Sequence, residues 1–60
     1  MCKYRVIVNY LGETEFTLFS PLNLRDLQNA LKTNHSVVLD NMLILENSLI
    51  FIEQVNKEGN

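Results

Sequence analysis

The 60-residue chain has little of what usually builds a catalytic or metal site. It contains one cysteine, one histidine, two glycines and no tryptophan. Because Cys2 is alone, no internal disulfide can form, and Cys2 with His35 supplies at most two of the four ligands that a structural zinc takes. Gly12 and Gly59 lie too far apart for a glycine-rich phosphate loop. We expect no catalytic residues, no metal, no cofactor and no enzymatic activity.

Basic charge is also scarce, which bears on the partners. The chain has five Lys and Arg residues against seven Asp and Glu residues, for a formal net charge of -2. Affinity for nucleic acid comes mainly from basic side chains that neutralise several phosphates. Nucleic acid is therefore not the expected partner. One alternative stays open, a small nucleic-acid-binding regulator whose dimer combines Lys3 and Arg5 of both chains.

Long hydrophobic runs are missing as well. The most apolar tract, residues 42–52, is interrupted by Glu46, Asn47 and Ser48, and a membrane-spanning helix needs ~20 apolar residues. The first residues lack the apolar core and the small-residue cleavage site of a signal peptide. We expect a cytoplasmic protein that makes no contact with a membrane.

Sixty residues are few for a stable monomer. A core of this size rarely supplies more than ~3–5 kcal/mol of net stability. Short chains usually rely on disulfides, a metal or self-association, and the composition removes the first two. We expect residues 1–60 to form one small domain, frayed from about Lys57, that associates as a homodimer or a larger homo-oligomer.

Alternation of apolar and polar residues predicts a first hairpin. Residues 3–10 place four apolar side chains on one face of a strand. These are Tyr4, Val6, Val8 and Tyr10. The turn that follows contains Gly12, which adopts a positive φ without steric cost. Alternation resumes over residues 15–19, with Phe16 and Leu18 on one face, which predicts the second arm.

At Ser20 the apolar period changes from two to about 3.6, which predicts a helix. Ser20 suits the N-cap position and Pro21 the first helical position. Phe19 and Leu24 have the spacing of a hydrophobic staple. Asn34 is expected to end the helix in a left-handed conformation.

This helix has two faces of different character. Leu24, Leu27 and Leu31, with Ala30 beside them, form an apolar stripe that predicts contact with a core. The opposite face is polar and exposed, and it is our candidate protein-binding surface. Its residues are Arg25, Asp26, Gln28 and Asn29.

The second half of the chain predicts strands again. Residues 37–39 lead into Asp40-Asn41, a candidate two-residue turn, followed by residues 42–45. A second turn at Glu46-Asn47 precedes a strand over residues 49–55. The alternative is a chain with a single hairpin, in which residues 37–39 are only a short extension.

The order of elements is therefore β-β-α-β-β, with four strands or five, and it predicts an α+β domain. One helix covers one face of a small antiparallel sheet, yet the strands are apolar on both faces, as at residues 42–45. Since an antiparallel sheet with one wet face alternates cleanly, we expect a second copy of the chain to cover the other face.

The last strand supplies the candidate self-association residues. We expect Leu49, Phe51, Glu53 and Val55 to lie on one face of that strand. Glu53 is also expected to form a cross-strand ion pair with Arg5 or Lys3. A small ligand bound in a cleft between subunits stays open as a further alternative.

Three segments give the chain a resemblance to known proteins. Residues 4–10, 37–40 and 47–53, together with abundant Asn, Leu and Ile, resemble small accessory proteins of phages and mobile elements of low-GC bacteria. The resemblance implies a phage-type inhibitor or regulator that binds a host protein. In its most specific form it implies an anti-defence protein that acts by steric blocking.

Overall fold

The computed structural model describes residues 1–55 and confirms an α+β fold with antiparallel strands. The expected fraying from Lys57 lies outside the described residues. The elements run along the chain as strand β1 (Cys2–Asn9), strand β2 (Glu13–Ser20), helix α1 (Leu24–Asn34), strand β3 (Ser36–Leu39), strand β4 (Met42–Leu45), a 3-10 turn (Glu46–Ser48) and strand β5 (Leu49–Gln54).

The larger sheet has three strands in the order β2-β1-β5, with β1 in the centre. β1 and β2 form the expected hairpin, in register from Cys2↔Ser20 to Asn9↔Glu13. Gly12 in the connection has φ 95°, a conformation that other residues adopt only with strain. Tyr4, Val6 and Val8 are fully buried, as their alternation predicts, whereas Tyr10 lies beyond the strand and is partly exposed.

Strands β3 and β4 form a separate two-stranded sheet where we expected a single sheet. Their two-residue turn, Asp40-Asn41, is confirmed, and the single-hairpin alternative is wrong. β3 cannot join the larger sheet at its centre, because β1 already has a strand on each side. Only His35 separates β3 from α1, so the short hairpin packs beside the helix.

Asp40 connects the two sheets. It adopts φ 53° in the turn. Its backbone N–H donates to the carbonyl of Phe19 at 3.0 Å, and its Oδ2 accepts from the Phe19 N–H at 3.1 Å. One aspartate thus satisfies both backbone groups of an edge residue, as a neighbouring strand would.

The helix begins later than predicted. Its N-cap is Asn23, whose Oδ1 accepts from the backbone N–H of Asp26 at 2.8 Å. The prediction of Ser20 as the N-cap is wrong, and so are Pro21 as the first helical residue and the staple built on that start. Ser20 instead ends β2 opposite Cys2. Its buried hydroxyl accepts from the Leu22 N–H at 3.1 Å, so its capping ability is used in a turn.

The helix also ends one residue later than predicted. His35 is the left-handed C-cap residue, with φ 61°, and its N–H donates to the Leu31 carbonyl at 2.9 Å. Asn34 is the last helical residue. The left-handed position thus falls on His35, although Asn tolerates that conformation better than most residues.

A single core lies between the larger sheet, the helix and the β3–β4 hairpin. The apolar stripe of α1 is confirmed, with Leu27 and Leu31 buried and its other members packed against the core. Tyr4 extends the core to the loop before the helix, because its hydroxyl donates to the Leu22 carbonyl at 2.7 Å. The other side of the larger sheet is left without a covering layer from the described residues.

Candidate protein-binding surface

The side of the larger sheet that faces away from the core is the first candidate surface, and we call it the outer face. Side chains alternate between the two sides of a strand, so the residues between the buried positions of each strand point outward. The outer face consists of Lys3, Arg5, Ile7, Asn9, Glu13, Glu15, Thr17, Phe19, Phe51, Glu53 and Val55.

Arg5 lies at the centre of the outer face and is held by both neighbouring strands. Its Nε donates to Glu53 Oε1 at 2.8 Å, and its Nη2 lies 2.8 Å from the same oxygen. Its Nη1 is 3.6 Å from Glu15 Oε1 on β2. The predicted cross-strand pair between Glu53 and Arg5 is therefore confirmed, with the two residues directly opposite in the register.

The surroundings fix the charge and orientation of Arg5. The pKa of the Arg5 guanidinium is raised above its usual value, chiefly by the hydrogen bond to Glu53 and next by the negative charge of the Glu53 carboxylate. Its Cζ also lies 5.3 Å from the centre of the Phe51 ring, within the range of a cation–π contact. Arg5 is thus oriented on the free protein.

Apolar side chains surround this charged centre. Phe19, Phe51 and Val55 are 42%, 41% and 45% exposed, and Ile7 is half-buried between them. Aromatic residues and arginine are the residue types that most often dominate binding energy at protein interfaces. The outer face therefore combines an arginine with two exposed aromatic rings, residue types that are common at the centre of protein interfaces.

The candidate self-association residues do not all share this face. Phe51 and Glu53 point outward, but Leu49 packs against the core. A β-bulge between Phe51 and Leu49 is the cause, because Val8 pairs with Leu49 and Ile7 with Phe51. The extra residue, Ile50, reverses the alternation. The expectation that Leu49 shares a face with Phe51 is wrong, and the sequence carries no glycine there that would have signalled a bulge.

The candidate helix residues lie on the opposite side of the molecule. Arg25, Asp26, Gln28 and Asn29 are all exposed, on the side of α1 turned away from Leu27 and hence from the core. The core separates this surface from the outer face. The structure therefore gives two separate surfaces, and the residues predicted for partner binding and for self-association do not meet.

The β3–β4 hairpin carries an apolar patch that the sequence did not single out as a site. Val38 and Leu43 lie opposite each other and are 60% and 53% exposed, with Leu45 beside them. The Tyr10 hydroxyl reaches this hairpin and donates to the Leu43 carbonyl at 2.7 Å. The apolar character of both faces of β4 was the only sequence signal for this patch.

Cys2 and His35, the cysteine and the histidine of the chain, do not belong to the outer face. His35 Nδ1 lies 2.9 Å from Glu46 Oε1, beside an open depression of about 360 Å³ that Leu45 and Asn47 also line. Cys2 is buried in the core. Residues 1–55 contain no group of three or more side chains placed to hold a metal ion.

No helix within residues 1–55 has the length and apolar character that crossing a membrane requires. No family model matches the chain, and neither a curated protein nor a solved structure matches it.

Proposed function

We propose that this chain is a non-enzymatic inhibitor or regulator that binds another protein through the outer face and blocks it sterically. The observation that carries the proposal is the arrangement of three partly exposed side chains, those of Phe19, Arg5 and Phe51, on one face of one sheet. In its most specific form, the proposal is a phage-type anti-defence protein, acting as a homo-oligomer in the host cytoplasm on a host enzyme. That form rests on the sequence resemblance.

The organisation of Arg5 favours binding. A side chain that is already fixed loses less conformational entropy when a partner arrives. Glu53 and Glu15 hold Arg5 from two sides, and Phe51 packs against it. The guanidinium can therefore enter an interface with its charge already balanced, which lessens the desolvation penalty of an unpaired ion.

The charges of the outer face indicate the chemistry of the partner. Lys3 and Arg5 stand against three carboxylates, those of Glu13, Glu15 and Glu53. Complementary charge speeds association and selects among partners. We therefore propose that the partner presents an apolar patch edged by basic residues. Some of these basic residues would contact Glu13, at the turn end of the β1–β2 hairpin.

The nucleic-acid alternative finds less support. It needs Lys3 and Arg5 to neutralise phosphates. Arg5 already bonds with Glu53 and Glu15, and a phosphate would have to compete with both carboxylates. We do not propose it as a second function, and we expect no shift of DNA or RNA by the protein at low salt.

A capture experiment with matched variants tests the proposed function. The immobilised chain is incubated with bacterial host lysate, in parallel with Phe51→Ser and with Val38→Ser. Both substitutions remove an exposed apolar side chain, but Val38 lies on the β3–β4 hairpin. We expect a specific host protein to be captured by the unmodified chain and by Val38→Ser, and to be lost with Phe51→Ser.

Purified components then quantify the effect. For the captured protein, we expect Phe51→Ser to raise the Kd at least about tenfold, as for a central aromatic residue of an interface. A double variant, Gln28→Ala with Asn29→Ala, tests the helix surface and should leave the Kd unchanged. If the helix variant loses the partner and Phe51→Ser retains it, the binding surface is α1. If no variant or parent captures a protein, the proposed function fails.

A further inference from the structure

We propose that the free edge of β5 pairs with β5 of a second copy, which joins two three-stranded sheets into one continuous six-stranded antiparallel sheet. This inference gives the geometry of the self-association that forms part of the proposed function, and in that respect it rests on the proposed function. It places the contact on backbone groups at a strand edge, whereas the sequence suggested a contact between sheet faces.

The backbone of β5 offers hydrogen-bonding groups on its free side. The Val55 N–H donates to the Lys3 carbonyl at 2.9 Å, so Val55 points its backbone toward β1. Alternate residues of an antiparallel strand point their N–H and C=O groups to opposite sides. Ile52 and Gln54 therefore point theirs away from β1, where no strand of residues 1–55 lies.

The opposite edge of the sheet confirms this directional pattern. The backbone groups of Phe19 bond to Asp40, away from β1. Phe19 is opposite Lys3 in the register, so the backbone groups of Lys3 point away from β2 and toward β5. The hydrogen bonds at both edges thus indicate that the backbone N–H and C=O groups of Lys3 point toward β5.

The two edges differ in how they are protected against further pairing. Asp40 occupies the hydrogen-bonding groups at one end of the β2 edge, and Glu13 and Glu15 bring negative charge to the rest. Charged residues and covered backbone are how proteins keep sheet edges from pairing. β5 has the sequence LIFIEQ, with no Pro, no Lys and a single charge. The edge of β5 is therefore the one suited to pairing.

A second copy fits this edge because an antiparallel pair of identical strands has twofold symmetry. With Ile52 opposite the partner's Ile52, Phe51 lies opposite the partner's Glu53. In the register with Glu53 opposite its own copy, two like charges would face each other, which is destabilising. The first register is therefore favoured, and it covers Ile50, which is 50% exposed.

The geometry of this dimer has a consequence for binding. The twofold axis runs perpendicular to the sheet, so both outer faces lie on one side and both helices on the other. The dimer therefore presents two copies of the proposed binding surface side by side, and a partner with two sites would gain avidity from it. A dimer formed by packing the two outer faces together would instead bury the proposed binding surface.

Backbone N-methylation tests the proposal without changing any side chain. The chain is short enough for chemical synthesis, and a methyl group on the Ile52 nitrogen removes the donor at the centre of the pairing. The matched control carries its methyl on the Glu15 nitrogen, which by the same alternation points to the free side of β2. In sedimentation equilibrium, we expect a dimer for the parent and the control. N-methyl-Ile52 should raise the dimer Kd about 100-fold, because both copies lose a hydrogen bond and clash.

Hydrogen exchange on the unmodified chain gives a readout that needs no variant. The Ile52 and Gln54 amides should exchange slowly at high protein concentration and faster on dilution, while the Glu15 amide should exchange fast throughout. A monomeric parent, a dimer that survives N-methyl-Ile52, or fast exchange at Ile52 at high concentration would each overturn the proposal. A host protein captured by a strictly monomeric chain would overturn this inference alone, whereas a β5-paired dimer that captures nothing would overturn only the proposed function.

Discussion

The two sides of β1 show how one strand can serve both stability and binding. Tyr4, Val6 and Val8 point into the core and are fully buried, whereas Arg5 and Ile7 lie between them on the outer face. The buried side chains of β1 are stabilised by packing in the core with the helix. On the outer side, Arg5 forms an ion pair with Glu53 of the neighbouring strand. Substitutions at neighbouring positions of one strand should therefore have different consequences.

The largest expected effect compares adjacent residues of β1. Val6→Ala should lower the free energy of unfolding by about 2.5 kcal/mol, since it opens a cavity in the core. Ile7→Ala removes more carbon atoms but leaves no closed cavity, so we expect a loss of about 1 kcal/mol. Urea unfolding followed by circular dichroism measures both. Equal losses would show that the outer face is covered as tightly as the core.

A second comparison uses the two tyrosines, which make similar hydrogen bonds in different surroundings. Tyr4→Phe removes the donor to the Leu22 carbonyl and leaves that carbonyl without its partner, so we expect a loss of about 1.5 kcal/mol. Tyr10→Phe removes the bond to the Leu43 carbonyl at an exposed site. Water replaces that donor, and the expected loss is below about 0.5 kcal/mol. A larger loss for Tyr10→Phe would contradict the assignment of the core side.

The start of the helix provides a smaller test. Asn23→Ala removes the side-chain acceptor for the Asp26 N–H, and the loss of an N-cap costs about 1 kcal/mol. Asn23→Ser retains a hydroxyl acceptor and should recover most of the stability. If Asn23→Ala is neutral, the N-cap is not the residue on which α1 depends for its start.

The smallest expected effect concerns the end of the helix and has the opposite sign. His35 has φ 61°, and glycine adopts this conformation without the steric cost of a Cβ. His35→Gly should therefore stabilise the protein by a net free energy of about 0.5 kcal/mol, which allows for the loss of the exposed contact with Glu46. His35→Ala, which loses the same contact and keeps a Cβ, is the control and should not stabilise.

The predictable part of the fold was the part encoded in local periodicity. The alternation around Val6 predicts the central strand and its buried face, and the spacing of Leu27 and Leu31 predicts the buried side of the helix. The helix start was missed because Ser20 and Asn23 are both good capping residues. Pairing with Cys2, which is distant along the chain, extends β2 through Ser20 and leaves the cap to Asn23.

The candidate sites were predictable to a smaller degree. The pair between Arg5 and Glu53 follows from the opposite charges of two strands expected to be neighbours. The orientation of Leu49 does not follow from the sequence, because a bulge near Ile50 reverses the direction in which the side chains of β5 point. A bulge arises from the fit of β5 to β1, and no single residue of β5 signals it.

The class of fold, the apolar side of the helix and the scarcity of metal-binding residues follow from the amino-acid sequence alone, which left the number of strands at four or five. These are properties of residue type and spacing, which act over a few positions. Packing between distant segments determines that the strands divide between two sheets and that Arg5 is held by Glu53 and Glu15. It also determines that Asp40 covers one end of the β2 edge, whereas no strand of residues 1–55 pairs with the far edge of β5. Each of these depends on contacts between residues far apart in the chain, whose relative position only the packed core fixes.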